Sequence, residues 1–143
     1  MPSIRTEPRQ VSWVVPSRDE AVGYVRHRTV AEIRAWGIEL ADPLEVELVV
    51  TELVTNAVSH AGGQVVGIGV RVAKAGAVVI RVSDSHLGFF GGRVSREPGE
   101  HGRGLVMVRQ LARSWWWEPL PEGKVVCALV DLGGGGWGCD EDE

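Results

Sequence analysis

The chain has 143 residues, 44% hydrophobic and 24% charged, which fits one domain with a core of its own, and a separate regulatory domain is not expected within it. Its formal charge is −4, but Asp140, Glu141, Asp142 and Glu143 carry all of that; without them acidic and basic residues balance at 15 each. A neutral body argues against binding nucleic acid through a broad basic surface, and two cysteines, Cys127 and Cys139, are too few for a disulfide framework and point to a reducing cytoplasm.

The start, MPSIRTEPRQ, has no apolar secretory stretch. The longest run without Asp, Glu, Lys or Arg, Leu53–Val70, contains Asn56, Ser59, His60, Gln64 and four glycines, so no membrane span is expected. Residues 1–10 read as a loose polar arm, 11–132 as the domain, and 133–143 (GGGGWGCDEDE) as a disordered Gly-rich acidic tail.

Val11–Val15 predicts a short strand. Pro16 and Ser17 predict a helix start, with Ser17 as N-cap and Glu20 completing a capping box, and the helix runs to about Trp36 with Gly37 closing it. Asp42-Pro43 opens a second helix, Asp42 as cap and Pro43 in the first turn, running to about Ala61. Val65–Val72 and Ala77–Ser83 predict strands joined by a turn at 74–76. A loop of nearly twenty residues follows from Asp84 to Gly102, a length that marks functional or mobile segments. A third helix is expected from about Arg103 to Ser114, then a hairpin of Trp116–Leu120 and Val125–Leu132 across Pro121-Glu122-Gly123-Lys124. This order predicts an α+β, two-layer sandwich with a mixed, mostly antiparallel sheet and helices on one face. Trp115–Trp117 must alternate faces if it is a strand, one side to the core and the other either to an exposed patch suited to a partner or under the tail; Cys127 reads as a buried thiol.

Three stretches could carry chemistry. On the second helix, Glu52, Asn56 and His60 are spaced i, i+4, i+8 and share one side, opposite Val46, Val50, Leu53, Val54, Ala57 and Ala61. Taken alone, that spacing is more often just a solvated polar face; the functional reading is an Asn oxygen for Mg²⁺ with a carboxylate base one turn away. In VIRVSDSHLG, residues 79–88, Asp84 ends an apolar strand and is placed either as a turn residue or as an acceptor for a ligand amine such as that of adenine. In HGRGLVMV, residues 101–108, Gly102 and Gly104 flank a helix start that would suit phosphate, with Arg103 adding charge; a plain glycine turn is the alternative. The four histidines show no compact metal-ligand spacing.

Taken together, ELVTNAVSHA, VSDSHLG and HGRGLVMVRQLA resemble the N, G1 and G2 boxes of the GHKL, or Bergerat-fold, ATPase superfamily. The run GRGLVMVRQLARSW followed by GKVVCALV is similar to the small single-domain branch of anti-sigma-factor serine kinases and ATP-binding regulators. The resemblance spans Val11 to Leu132. It implies an ATP site in which Asn56 coordinates Mg²⁺, Glu52 is the catalytic base, Asp84 binds the adenine amine, and His60 is a nucleotide neighbour. It further implies that Gly88, Gly102 and Gly104 let backbone approach the nucleotide, that Arg103 reaches the phosphates, and that 85–101 forms an ATP lid. The chain departs from the family pattern at His86, where a glycine is usual, and at Lys124, where a threonine often supports the adenine aspartate. Implied partners are a sigma factor and an anti-anti-sigma-type antagonist carrying the acceptor serine, with a homodimer possible. A nucleotide-binding interaction module with little or no kinase activity is the alternative.

Overall fold

The computed structural model describes residues 9–40, 42–60, 65–74, 76–84, 106–120 and 123–132; for His60, Val106, Met107 and Arg109 it describes the backbone alone. The elements are β1 (Gln10–Pro16), α1 (Glu20–Ala35), α2 (Leu44–His60), β2 (Val65–Lys74), β3 (Ala77–Ser83), α3 (Val106–Leu111), β4 (Ser114–Leu120) and β5 (Gly123–Asp131). The strands form one sheet in the order β1-β2-β3-β5-β4, antiparallel at each of its four pairings. The α+β class and the single helical layer are as expected.

Alternation sorts the strands into two faces. Val66, Ile68 and Val70 of β2, Val78, Ile80 and Val82 of β3, and Val126, Ala128 and Val130 of β5 are buried in one core with Val25 and Ile33 of α1, Val46, Val50, Leu53 and Val54 of α2, and Val108 of α3. Fully burying side chains such as Ile33, Leu53, Ile68 and Ile80 contributes about 1.5–3 kcal/mol each. The apolar side read from the α2 sequence is thus the side that packs, with Val49 added to it.

The other sheet face holds a smaller cluster of Val79, Val125 and Cys127, against which Trp116, Leu120 and Leu129 pack. Trp115 and Trp117 pack on the main core, so the tryptophan run alternates as the strand reading requires. The expected exposed patch is absent at Trp116, which is half-buried and donates Nε1–H to Glu118 Oε2 at 3.3 Å. On the same face Arg81 Nη1 and Nη2 donate to the two oxygens of Glu118 at 3.3 and 3.1 Å, and both side chains are nearly fully buried. This fork ties β3 to β4 across β5. Cys127 lies under it, fully buried, and burial pushes its thiol up to about 12, so the thiolate nucleophile is not available there.

Local signals held where the partners are adjacent in sequence. Asp42 Oδ1 accepts from the Leu44 N–H at 3.0 Å, and the Glu47 N–H already reaches Pro43 O at 2.9 Å, as an Asp cap with Pro in the first turn requires. Gly37 follows α1 with φ +84°, a conformation open to glycine, and its N–H donates to Arg34 O at 2.9 Å. Arg34 Nη2 then donates to Leu40 O at 2.8 Å, tying down the connection to α2.

Three expectations are corrected. Ser17 does not cap α1: the chain leaves β1 through a tight turn in which the Arg18 N–H donates to Pro16 O at 2.9 Å. The helix therefore starts later, with Asp19 at the cap position and no side-chain cap bond. The third helix does not run to Ser114: the Ala112 N–H still bonds Val108 O at 2.8 Å, but that of Arg113 bonds Leu129 O at 2.8 Å. The sheet captures the chain there, so β4 begins at Ser114. The last hairpin is also tighter than expected, because Leu120 pairs with Gly123 and β5 starts at that glycine. The segment 103–105 at the expected helix start, the N-terminal residues 1–8 and the tail 133–143 lie outside the described residues.

Candidate functional site

Glu52 and Asn56 lie one turn apart on α2, both half-buried, while the turn between them sends Leu53 and Val54 into the core. Burial raises the Glu52 carboxyl above its ordinary value, because removing a carboxylate from water disfavours its charged form. His60 closes the same helix. Arg26 of α1 donates Nη1–H to Thr51 Oγ1 at 3.3 Å, bracing α2 directly beside Glu52. α2 packs against β3 and β5, the strands whose ends form the second part of the site.

That second part is a corner where β3 gives out. Ser83 pairs with Val125, and one residue further the Asp84 N–H donates to Lys124 O at 3.3 Å. The Asp84 side chain turns back onto β5: Oδ1 accepts from the Lys124 backbone N–H at 3.0 Å, and Oδ2 stands 3.8 Å from Lys124 Nζ. Gly123 makes this possible. A Cβ there would overlap Asp84 Oδ1 and stand 3.0 Å from Cγ. The Arg81–Glu118 fork sits one step inside this corner, since Arg81 precedes Ser83 on β3 and Glu118 pairs with Val125.

The structure therefore brings Asp84 together with Gly123 and Lys124, and places Glu52, Asn56 and His60 along one helix. The expected site residues Gly88, Gly102, Arg103 and Gly104, His86, and the lid segment 85–101 lie outside the described residues. Lys124 was legible only as a departure from a family pattern. Its backbone and ammonium both serve Asp84, and the sequence signal was Gly123, a glycine whose need is set by a carboxylate 39 positions away in the chain. Among the described residues no group of three His, Cys, Asp or Glu could hold a metal ion, and no helix is long and apolar enough to cross a membrane.

An antiparallel sheet backed by helices on one face makes an α+β domain. The family model for the histidine kinase-like ATPase domain matches residues 15–129, and the chain belongs to that family. The match runs from the end of β1 into β5 and takes in both parts of the site. Family membership makes this an ATP-binding domain of the GHKL type. No curated protein matches the chain.

Proposed function

We propose that the protein is an ATP-dependent regulator that phosphorylates a serine on an antagonist protein and binds a sigma factor. The observation that supports it best is Glu52, a half-buried carboxylate with a raised pKa, one helical turn before an amide oxygen, in an ATPase-family domain. Burial that raises the carboxyl also makes its ionised form a stronger base than an exposed carboxylate, which general-base chemistry favours.

The residues present suit the ligands the family implies. Mg²⁺ keeps several waters and takes few protein oxygens beside substrate phosphates, and the Asn56 amide would supply a neutral oxygen of that kind. Asp84, held from behind by β5, presents an acceptor to a base amine. Bound ATP supplies the phosphoryl group and its leaving ADP. In the transfer the acceptor serine oxygen forms a bond to the γ-phosphorus as the bond to the β–γ bridging oxygen breaks, and Glu52 takes the serine proton. Positioning and charge neutralisation carry most of such a step. His60, at the end of the same helix, is assigned to the nucleotide's surroundings, and Gly88, Gly102, Arg103 and Gly104 to the phosphate side. The cell compartment that fits this role is the cytoplasm.

The second reading is a nucleotide-binding interaction module without phosphotransfer. The Lys124 ammonium beside Asp84 favours it, since it alters the base end of the site. The two separate on Glu52→Gln, which keeps the side-chain shape and removes the base. With the cognate serine acceptor, the kinase reading expects unchanged ATP binding and a 10²–10⁴-fold slower transfer, the usual contribution of a general base. Transfer by Glu52→Gln at the wild-type rate removes Glu52 from the role. A wild type that binds a sigma factor but phosphorylates no partner leaves the module reading in place.

A further inference from the structure

Lys124 does more than hold Asp84. Its side chain is one-fifth exposed and that of Asp84 one-seventh, with Nζ 3.8 Å from Oδ2. The two form an ion pair at a spacing longer than a hydrogen bond, so each keeps hydrogen-bonding capacity for a third group. Oδ1, by contrast, is occupied by the Lys124 backbone N–H at 3.0 Å and is pressed over Gly123. The corner therefore offers an incoming base two unlike groups side by side: an acceptor, Oδ2, and a cationic donor, Nζ.

We infer that Lys124 broadens base selection, so that the site takes purine nucleoside triphosphates, GTP as well as ATP. This rests on the reading of Asp84 as the base-binding residue. At the 6-position adenine carries an amine donor and guanine a carbonyl acceptor. At that position a lone carboxylate accepts from the first and opposes the second, so guanine bound there would leave its carbonyl facing a like charge with no donor, a cost that falls on guanine alone. With an ammonium beside the carboxylate the penalty is removed. Guanine O6 accepts from Nζ while its ring N–H donates to Oδ2; adenine donates its amine to Oδ2 while its ring nitrogen accepts from Nζ. The fold makes the side chain separable from the scaffold, because the bond that fixes Oδ1 comes from the Lys124 backbone and survives substitution of the side chain.

The test is calorimetric titration of the full chain with ATP and with GTP, for wild type, Lys124→Met and Lys124→Arg. The expected result is affinities within tenfold of each other in wild type and Lys124→Arg. In Lys124→Met, GTP binds at least a hundredfold more weakly than ATP. A Lys124 that serves only to neutralise Asp84 or to hold β5 shifts both affinities together and leaves their ratio unmoved, which overturns the inference, as does wild type that binds ATP but binds GTP a hundredfold more weakly. Binding of neither nucleotide by folded wild type overturns the inference and the nucleotide-site reading together.

Discussion

Gly123→Ala is the substitution in which the geometry of the corner has the sharpest consequence. The backbone at Gly123 does not adopt the left-handed conformation, so alanine is not strained by the backbone itself. In isolation such a change stabilises a protein by about 0.4–1 kcal/mol, because it restricts the unfolded chain. At this position the new methyl overlaps Asp84 Oδ1 and crowds Cγ at 3.0 Å. The carboxylate must leave, and its bond from the Lys124 N–H goes with it. Hydrogen bonds to charged groups contribute about 1.5–3 kcal/mol, and overpacking costs about 1–3 kcal/mol. Since the two describe one displacement, the net loss expected is about 1–3 kcal/mol. The assay is urea unfolding followed by tryptophan fluorescence, with unchanged m-value as the control that the denatured state is comparable. The same change in an Asp84→Ala background meets no carboxylate and is expected to be neutral or slightly stabilising. Independent sites add to within about 0.3–0.5 kcal/mol. Equal losses in the two backgrounds would therefore refute the Asp84–Gly123 contact.

Further outcomes follow from the buried fork and from Glu52. Glu118→Ala strands the Arg81 guanidinium in the sheet and should cost about 3–5 kcal/mol in the same unfolding assay, whereas Arg81→Met with Glu118→Leu should cost far less, because removing both charges removes the desolvation penalty as well. Glu52 has a folded pKa raised by burial, so its stabilising contribution is present at acid pH and lost as pH rises through the raised value. Glu52→Gln should accordingly gain stability relative to wild type on going from acid to neutral pH, read from unfolding midpoints at both ends. In phosphotransfer the sign is opposite. The rate of wild type should fall as acidification protonates Glu52, and the acid limb should be lost in Glu52→Gln; an unchanged acid limb in Glu52→Gln would separate Glu52 from the step.

What the sequence revealed and what it hid divide by distance along the chain. The packed side of α2 was legible because Val46, Val50, Leu53 and Val54 repeat with the helical period, and the Asp42 cap because its partner is two residues away. Glu52 and Asn56 were legible for the same reason, being one turn apart. Ser17 misled because a capping pattern cannot reveal that Pro16–Arg18 is used to turn out of β1. The Arg81–Glu118 fork joins residues 37 positions apart, and the Asp84–Lys124 bond joins residues 40 apart. Neither leaves a periodic trace. Lys124 therefore read as the loss of a supporting side chain, when the support comes from its backbone N–H, which any residue but proline supplies.

Nucleotide binding at α2 is tested most directly by ATP titration with and without Mg²⁺, on wild type and Asn56→Ala. Wild type should bind ATP more tightly with Mg²⁺ than without, and Asn56→Ala, lacking the amide oxygen, should lose that dependence while keeping its fold. Equal ATP affinity in wild type and Asn56→Ala under both conditions would contradict the assignment of α2 as the metal- and phosphate-facing helix.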